Sequence, residues 1–229
     1  MVYLIPSFLS EDAVETIPSY VLTAVQECQV IFAENERTAR RFLKSICKEI
    51  VIDDFEWHTI HKVEKEQLKT FRQKLKEGKN IAIISEAGCP GIADPGQLLI
   101  EQAQKEKAMV KPLAGPSSIL LALMASGLNG QQFCFTGYLP IDNVERNKKI
   151  KQLEEESIKK KSTQIFIETP FRNNKMLEAI LQNCKPTTLL CIAVEITSAR
   201  EMIKTKSIED WKKEKIDLHK KPTIFLLLG

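Results

Sequence analysis

Short apolar runs alternate with amphipathic stretches along nearly the whole chain, and this alternation limits the folds open to it. Val2–Ile5, Val30–Ala33, Ile50–Ile52, Ile81–Ser85 and Met109–Leu113 read as strands. Helical patterns near Ile17–Gln26, Thr38–Ile46, Val63–Lys76 and Leu98–Lys105 lie between them. Strands separated by helices of this length imply crossover units and a mostly parallel sheet. Ile81-Ala-Ile-Ile84 is apolar at consecutive positions, as a central strand covered on both faces requires. Lys74, Lys76 and Gly78 close the third helix with the charges and the turn residue that helix ends favour.

A second series follows Gly115-Pro116. Ser117–Ser126 is apolar on nearly every side and reads as a buried helix. Gln132–Gly137, Thr163–Ile167, Leu189–Val194 and Thr223–Leu228 read as strands, with helices near Val144–Lys159, Asn173–Gln182 and Ile208–Glu214. The expected fold is therefore α/β in two α/β domains, residues 1–112 and 113–229, with a boundary near Lys111–Gly115 and a ligand cleft at the joint. The 229 residues, 43% hydrophobic and 28% charged, exclude a disordered chain, a collagen or a coiled coil. The longest apolar run, Ile119–Ala125, is far short of the roughly 20 residues of a membrane span. The first residues have no positive leader, so no secretory signal is expected. Six cysteines without a CxxC pair read as reduced thiols of a cytoplasmic protein. A net charge of +3 neither announces nor excludes a nucleic-acid partner.

Four stretches can carry chemistry. Ser85-Glu-Ala-Gly-Cys-Pro-Gly-Ile-Ala-Asp-Pro-Gly96 follows a buried strand at once, where open α/β sheets bind ligands. It is either a ligand loop or a tight connection, and it fits no dinucleotide or nucleoside-triphosphate signature. Gly115-Pro-Ser-Ser118 is an ordinary helix start or an anion site. Glu168-Thr-Pro-Phe-Arg172 pairs a carboxylate with a guanidinium, as a substrate contact or a surface ion pair. Ala33-Glu-Asn-Glu-Arg37 brings charges to the same edge as the glycine-rich loop, as does Asp94, with a helix cap as the simpler role for each. His58 and His61, in a loop with Trp57, lack a third ligand, so no metal is expected. The charged stretch Arg146–Lys161 reads as a solvated helix face, with phosphate binding as the sharper alternative.

Taken in order, these stretches resemble the bacterial ribosomal RNA small subunit methyltransferase I family of the tetrapyrrole-methylase superfamily. The 85–96 loop is similar to that family's S-D-A-G-T-P-G-I-S-D-P-G. Ala33–Thr38 is similar to A-E-D-T-R, and Leu113–Ser118 to P-G-P-S-A. Ala125–Leu128, Phe133 and Gly137–Pro140 follow A-S-G-L…F…G-F-L-P, and Phe166–Arg172 resembles F-Y-E-S-P-H-R. The opening strand keeps Pro6 of the family's T-P-I-G-N-L but not its glycine, and D-T-R becomes Asn35-Glu-Arg37.

The resemblance implies two α/β domains of the class III methyltransferase type, S-adenosylmethionine in the cleft between them, and a homodimer. By position, Pro6, Gly88, Cys89, Gly91 and Ile92 would line the cofactor, and Ser117 and Ser118 would meet its methionine end. Phe166, Ile167, Glu168, Ala193, Pro222 and Thr223 would enclose its adenosine. The implied reaction is methylation of a cytidine ribose 2′-oxygen in small-subunit ribosomal RNA, with the small ribosomal subunit as partner. Glu34, Glu36, Arg37, Asp94 and Arg172 are the polar groups expected to act there as base or phosphate clamp. A methyltransferase for a tetrapyrrole or other small molecule, and a cofactor-binding protein without catalysis, are the competing expectations.

Overall fold

The computed structural model describes residues 1–60 and 63–229, which fall into two compact units, Met1–Ser117 and Ser118–Gly229. His61 lies outside the described residues.

The first unit runs β1 (Val2–Ile5), α1 (Tyr20–Gln26), β2 (Val30–Ala33), α2 (Glu36–Ile46), β3 (Glu56–Thr59), α3 (Glu64–Lys76), β4 (Ile81–Ile84), α4 (Gln97–Lys105) and β5 (Val110–Pro112). Its strands form one parallel sheet in the order β3-β2-β4-β1-β5. Side chains alternate across a strand, and here both faces are covered. Tyr3, Ile31, Ala82 and Ile84 face Val25 of α1 and Phe42 and Leu43 of α2. Val2, Phe32, Ile81 and Ile83 face Phe71 of α3 and Leu99 of α4. This is why β4 reads as an unbroken apolar run: it lies between β2 and β1 and is fully buried.

The second unit runs α5 (Ser118–Ser126), β6 (Phe133–Tyr138), α6 (Asn143–Lys160), β7 (Thr163–Ile167), α7 (Asn173–Asn183), β8 (Leu189–Val194), β9 (Met202–Ser207), α8 (Ile208–Trp211) and β10 (Thr223–Leu228). Its sheet has the order β6-β7-β10-β8-β9. Phe166, Phe225, Leu190 and Ile192 pack with Met176 and Ile180 of α7 and with Trp211, whose indole N–H donates to the Leu190 carbonyl at 2.8 Å.

Several expectations need correction. Ile50–Ile52 is not a strand: Ile52–Asp54 is a single 3₁₀ turn and the strand is β3, which carries Trp57 and His58 out of the supposed loop. β3 is an edge strand with polar positions, so its sequence lacks the apolar run of a buried one. The second sheet is mixed, because β10 runs antiparallel to both β7 and β8, and β8 antiparallel to β9. α5 is not buried all round; Leu120 and Met124 are exposed. α8 stops at Trp211, short of Glu214. The α6 face is not wholly solvated: Arg146 is buried, with Nη2 on Asn143 Oδ1 at 2.7 Å, and Glu154 is buried, accepting from the Lys185 amide at 2.7 Å.

Candidate functional site

In a parallel sheet the loops after adjacent strands emerge at one edge. β1, β4 and β2 are neighbours, so the segments beginning at Pro6, Ser85 and Glu34 meet there. Ser7 and Gly88 exchange backbone hydrogen bonds, 2.8 Å and 3.1 Å, and the Ser7 hydroxyl donates to the Ser85 carbonyl at 2.9 Å. These ties fix the first loop to the glycine-rich one. Pro6 packs onto Gly115: a Cβ on Gly115 would lie 2.2 Å from the Pro6 Cβ. Gly91 has φ +77°, and a Cβ there would meet Ile100 at 2.9 Å, so the loop turns back onto α4 only with glycine at this position.

The carboxylates gather on the same edge. Glu34 is buried, and its Oε2 accepts from the Glu86 amide at 2.9 Å, which ties the end of β2 to the start of the 85–96 loop. Glu86 Oε1 accepts from the Thr38 hydroxyl at 3.3 Å. Asp94 is half-buried; burial, with the negative charges of Glu34 and Glu86, pushes its carboxyl up to about 7. Neither Glu34 nor Asp94 caps a helix. Asn35 caps α2, accepting from Arg37 and Thr38 at 3.0 Å and 3.4 Å. α4 is capped from α3: Glu64 Oε1 accepts from the amides of Gly96, Leu98 and Leu99 at 3.0, 2.8 and 3.3 Å. Glu36 is drawn to Arg40 at 2.6 Å, whereas Arg37 is exposed. Glu34, Asn35, Glu36, Arg37, Thr59 and Glu86 line a cavity of about 350 Å³.

A second cavity, of about 450 Å³, is lined mainly by apolar groups of Leu4, Cys89, Pro90, Gly91, Ile92, Ile100 and Leu113. Gly88 is buried beneath this loop. Cys89 places Sγ 3.7 Å from the Pro116 carbonyl, and burial pushes its thiol up. Ser117 and Ser118 are half-buried at the start of α5.

In the second unit, Ile167, Ile224 and Ala193 stand in register across β7, β10 and β8. Phe166, Ile167, Glu168, Ala193 and Thr223 therefore share one region of that sheet. The Phe166 ring is in the core, stacked on Phe225 at 5.8 Å, so only its backbone faces outward. Pro222 is exposed and accepts from the Glu195 amide at 2.9 Å. The Glu168–Arg172 pair is not a surface one. The Glu168 side chain is 0% exposed, its Oε1 takes Arg172 Nε and Nη2 at 3.1 and 2.5 Å, and its buried Oε2 has no hydrogen-bond partner among the described residues. No group of three or more metal-ligating side chains occurs among the described residues.

The family model of Tetrapyrrole (Corrin/Porphyrin) Methylases matches residues 13–211. The chain belongs to the tetrapyrrole methylase family. Its curated relatives include the ribosomal RNA small subunit methyltransferase I of Buchnera aphidicola subsp. Schizaphis graminum, 36% identical over 72% of this chain and 58% of that protein. The protein of the same name from Buchnera aphidicola subsp. Acyrthosiphon pisum is 30% identical over 100% of this chain and 79% of the relative. Some relatives are thus matched over little more than half their length. Among solved structures, the methyltransferase CobJ superposes with a TM-score of 0.67 at 17% identity, covering 100% of this chain and 93% of that one. Uroporphyrin-III C-methyl transferase from Thermus thermophilus, complexed with S-adenosyl homocysteine, gives 0.60 at 13%, over 100% and 97%.

This tetrapyrrole methylase thus joins Glu34 and Asp94 at one edge, with Arg37 beside them, and keeps Arg172 with Glu168 in the other unit. Glu86 was not singled out from the sequence, although it stands within the glycine-rich segment. Its role follows from the pairing of β2 with β4, which local spacing does not reveal.

Proposed function

We propose that the chain is an S-adenosylmethionine-dependent methyltransferase acting on a cytidine ribose 2′-oxygen of small-subunit ribosomal RNA. It is read as a cytoplasmic homodimer that takes the small ribosomal subunit as partner; among the described residues no helix is long and apolar enough to cross a membrane. The curated relatives support the RNA substrate by name. The observation that carries the chemistry is the gathering of carboxylates at one sheet edge, where Glu34 is tied to the Glu86 amide and burial together with these charges raises the Asp94 carboxyl to about 7, into the range of a general base working near neutral pH.

The residues fit the cofactor on two counts. The apolar cavity along Cys89, Gly91 and Ile92 admits a chain of carbon and sulfur, and Pro6, Gly88 and Ser117 are assigned to the same ligand through the resemblance. The buried Glu168 Oε2 is an acceptor suited to a nucleoside's hydroxyl or amino donor. Ser118, Ile167, Ala193, Pro222, Thr223 and the Phe166 backbone are assigned to the same ligand through the resemblance. When bound, S-adenosylmethionine supplies an electrophilic methyl group on a good leaving group.

The remaining chemistry belongs to the protein. Asp94 accepts the proton of the ribose hydroxyl at its carboxylate oxygen. Glu34 and Glu86 keep that oxygen basic through their charge, and Glu34 holds the loop through the Glu86 amide. Arg37, exposed at the rim, orients a neighbouring phosphate. Glu36, paired with Arg40, contributes charge balance rather than a free base. Arg172 holds Glu168 in place.

The test is transfer of labelled methyl groups to small ribosomal subunits lacking the modification, followed by nucleoside mass spectrometry. One new 2′-O-methylcytidine is expected. No transfer to that RNA, or transfer to a tetrapyrrole instead, overturns the reading.

A further inference from the structure

Opposite the buried face of α2 runs a line of positive charge. Ala39, Phe42 and Leu43 face the core, while Arg37, Arg41 and Lys44 are exposed, as is Lys48 in the turn just beyond. Spacings of four, three and four residues put these side chains on one stripe. With a rise of about 1.5 Å per residue, consecutive charges along the helix lie roughly 5–6 Å apart. Arg37 lines the 350 Å³ cavity with Glu34 and Glu86, the two carboxylates whose charge acts on the proposed base Asp94; the acceptor nucleotide is assigned to this cavity, and the stripe leads outward from it.

Little on this face neutralises the stripe. Among the described residues Arg41 has one loose partner, Glu11, at 3.7 Å, with side chains 59% and 77% exposed, and such a pair competes weakly with another anion. Lys44 donates to the Lys48 carbonyl at 2.9 Å rather than to a carboxylate. Glu36 is turned to Arg40, off the stripe. Glu49, beside Lys48, is the nearby acid; its carboxylate is 3.5 Å from Cys47 Sγ.

We propose that Arg37, Arg41, Lys44 and Lys48 form the track on which the phosphate backbone of the RNA substrate lies, on the strand that carries the acceptor nucleotide. This rests on the RNA-methyltransferase reading above and extends it to a binding surface. A polyanion with regularly spaced charges fits a linear repeat that ends at the acceptor cavity. An acidic protein surface has no reason to be tied to that cavity.

The experiment compares the full chain with Arg41→Ala/Lys44→Ala and with a control, Lys65→Ala/Lys69→Ala, which removes two exposed charges from α3. Binding of a labelled single-stranded RNA of mixed sequence is titrated from 50 to 300 mM salt, and S-adenosylhomocysteine binding is read by calorimetry. Each phosphate contact contributes about 0.7 to the slope of log affinity against log salt for single strands. Losing two should lower the slope by about 1.4 and weaken binding roughly 25-fold near 0.1 M salt. The control should keep the wild-type slope. An unchanged slope in Arg41→Ala/Lys44→Ala, or an equal loss in the control, overturns the track. So does weakened binding to small ribosomal subunits with unaltered binding to naked RNA, which would mark a ribosomal protein as the partner. Failure of the functional reading looks different: the wild-type chain would then bind no S-adenosylhomocysteine.

Discussion

Burial and the charges of Glu34 and Glu86 raise the Asp94 carboxyl to about 7, and this gives pH a definite sign at one residue. The unfolded chain releases that proton near the ordinary carboxylate value, whereas the folded chain keeps it. Stability from this group is therefore complete below about pH 4 and is lost as pH rises to about 7. Asp94→Asn should raise the Tm relative to the wild type at pH 8 and give no gain at pH 4. The same substitution should lower methyl transfer by roughly 10²- to 10⁴-fold and remove the rise of rate with pH near neutrality. Unchanged rates would remove Asp94 as the base. Gly115→Ala tests packing instead. Its Cβ would collide with Pro6, a stiff ring on backbone tied to Gly88 through Ser7, so a cost of about 1–3 kcal/mol is expected by denaturant titration. The glycines and prolines of both loops were legible in the sequence because each answers a local backbone demand. The tie between Glu34 and the Glu86 amide was not, because it is created by the pairing of β2 with β4.

At the level of elements, α3 and α4 are joined by a carboxylate. Glu64 accepts three amides at the start of α4, where four N–H groups lack partners within the helix. Glu64→Ala should cost about 0.5–2 kcal/mol, with Glu64→Gln recovering part of it, as read by thermal unfolding. The loss should also loosen the 85–96 loop, because Gly96 is one of the three donors. The long amphipathic helices were readable from their periodicity. β9 was not, since Met202-Ile-Lys-Thr-Lys-Ser207 is a polar edge strand whose place is fixed by its hydrogen-bond ladder with β8. Ile50–Ile52 misled for the opposite reason: Ile50 is buried, but as part of a turn leading into β3.

Across the whole molecule, each unit has a core of its own and a single tryptophan to report on it, Trp57 in the first and Trp211 in the second. Phe225 is fully buried and stacked on Phe166, so Phe225→Ala should destabilise the second unit by about 3–5 kcal/mol. The denaturant midpoint read at Trp211, in a Trp57→Phe background, should fall accordingly. An unchanged midpoint would mean that the Phe166–Phe225 stack contributes little. The division into two α/β halves was legible because apolar runs repeat on either side of Gly115-Pro116. The mixed directions of the second sheet were not, because a strand's periodicity carries no information about the direction of its neighbours.

The position of β10 between β7 and β8 carries a kinetic consequence. Leu227 must find Gln164, and Thr223 must find Val194, before the middle of that sheet exists. Closing such long stretches of chain costs entropy before any contact repays it. The first half closes still longer stretches, since Val2 pairs with both Ile81 and Val110, so it should be the slower to reach its native topology, and during that delay its strand edges are open to pairing with other chains.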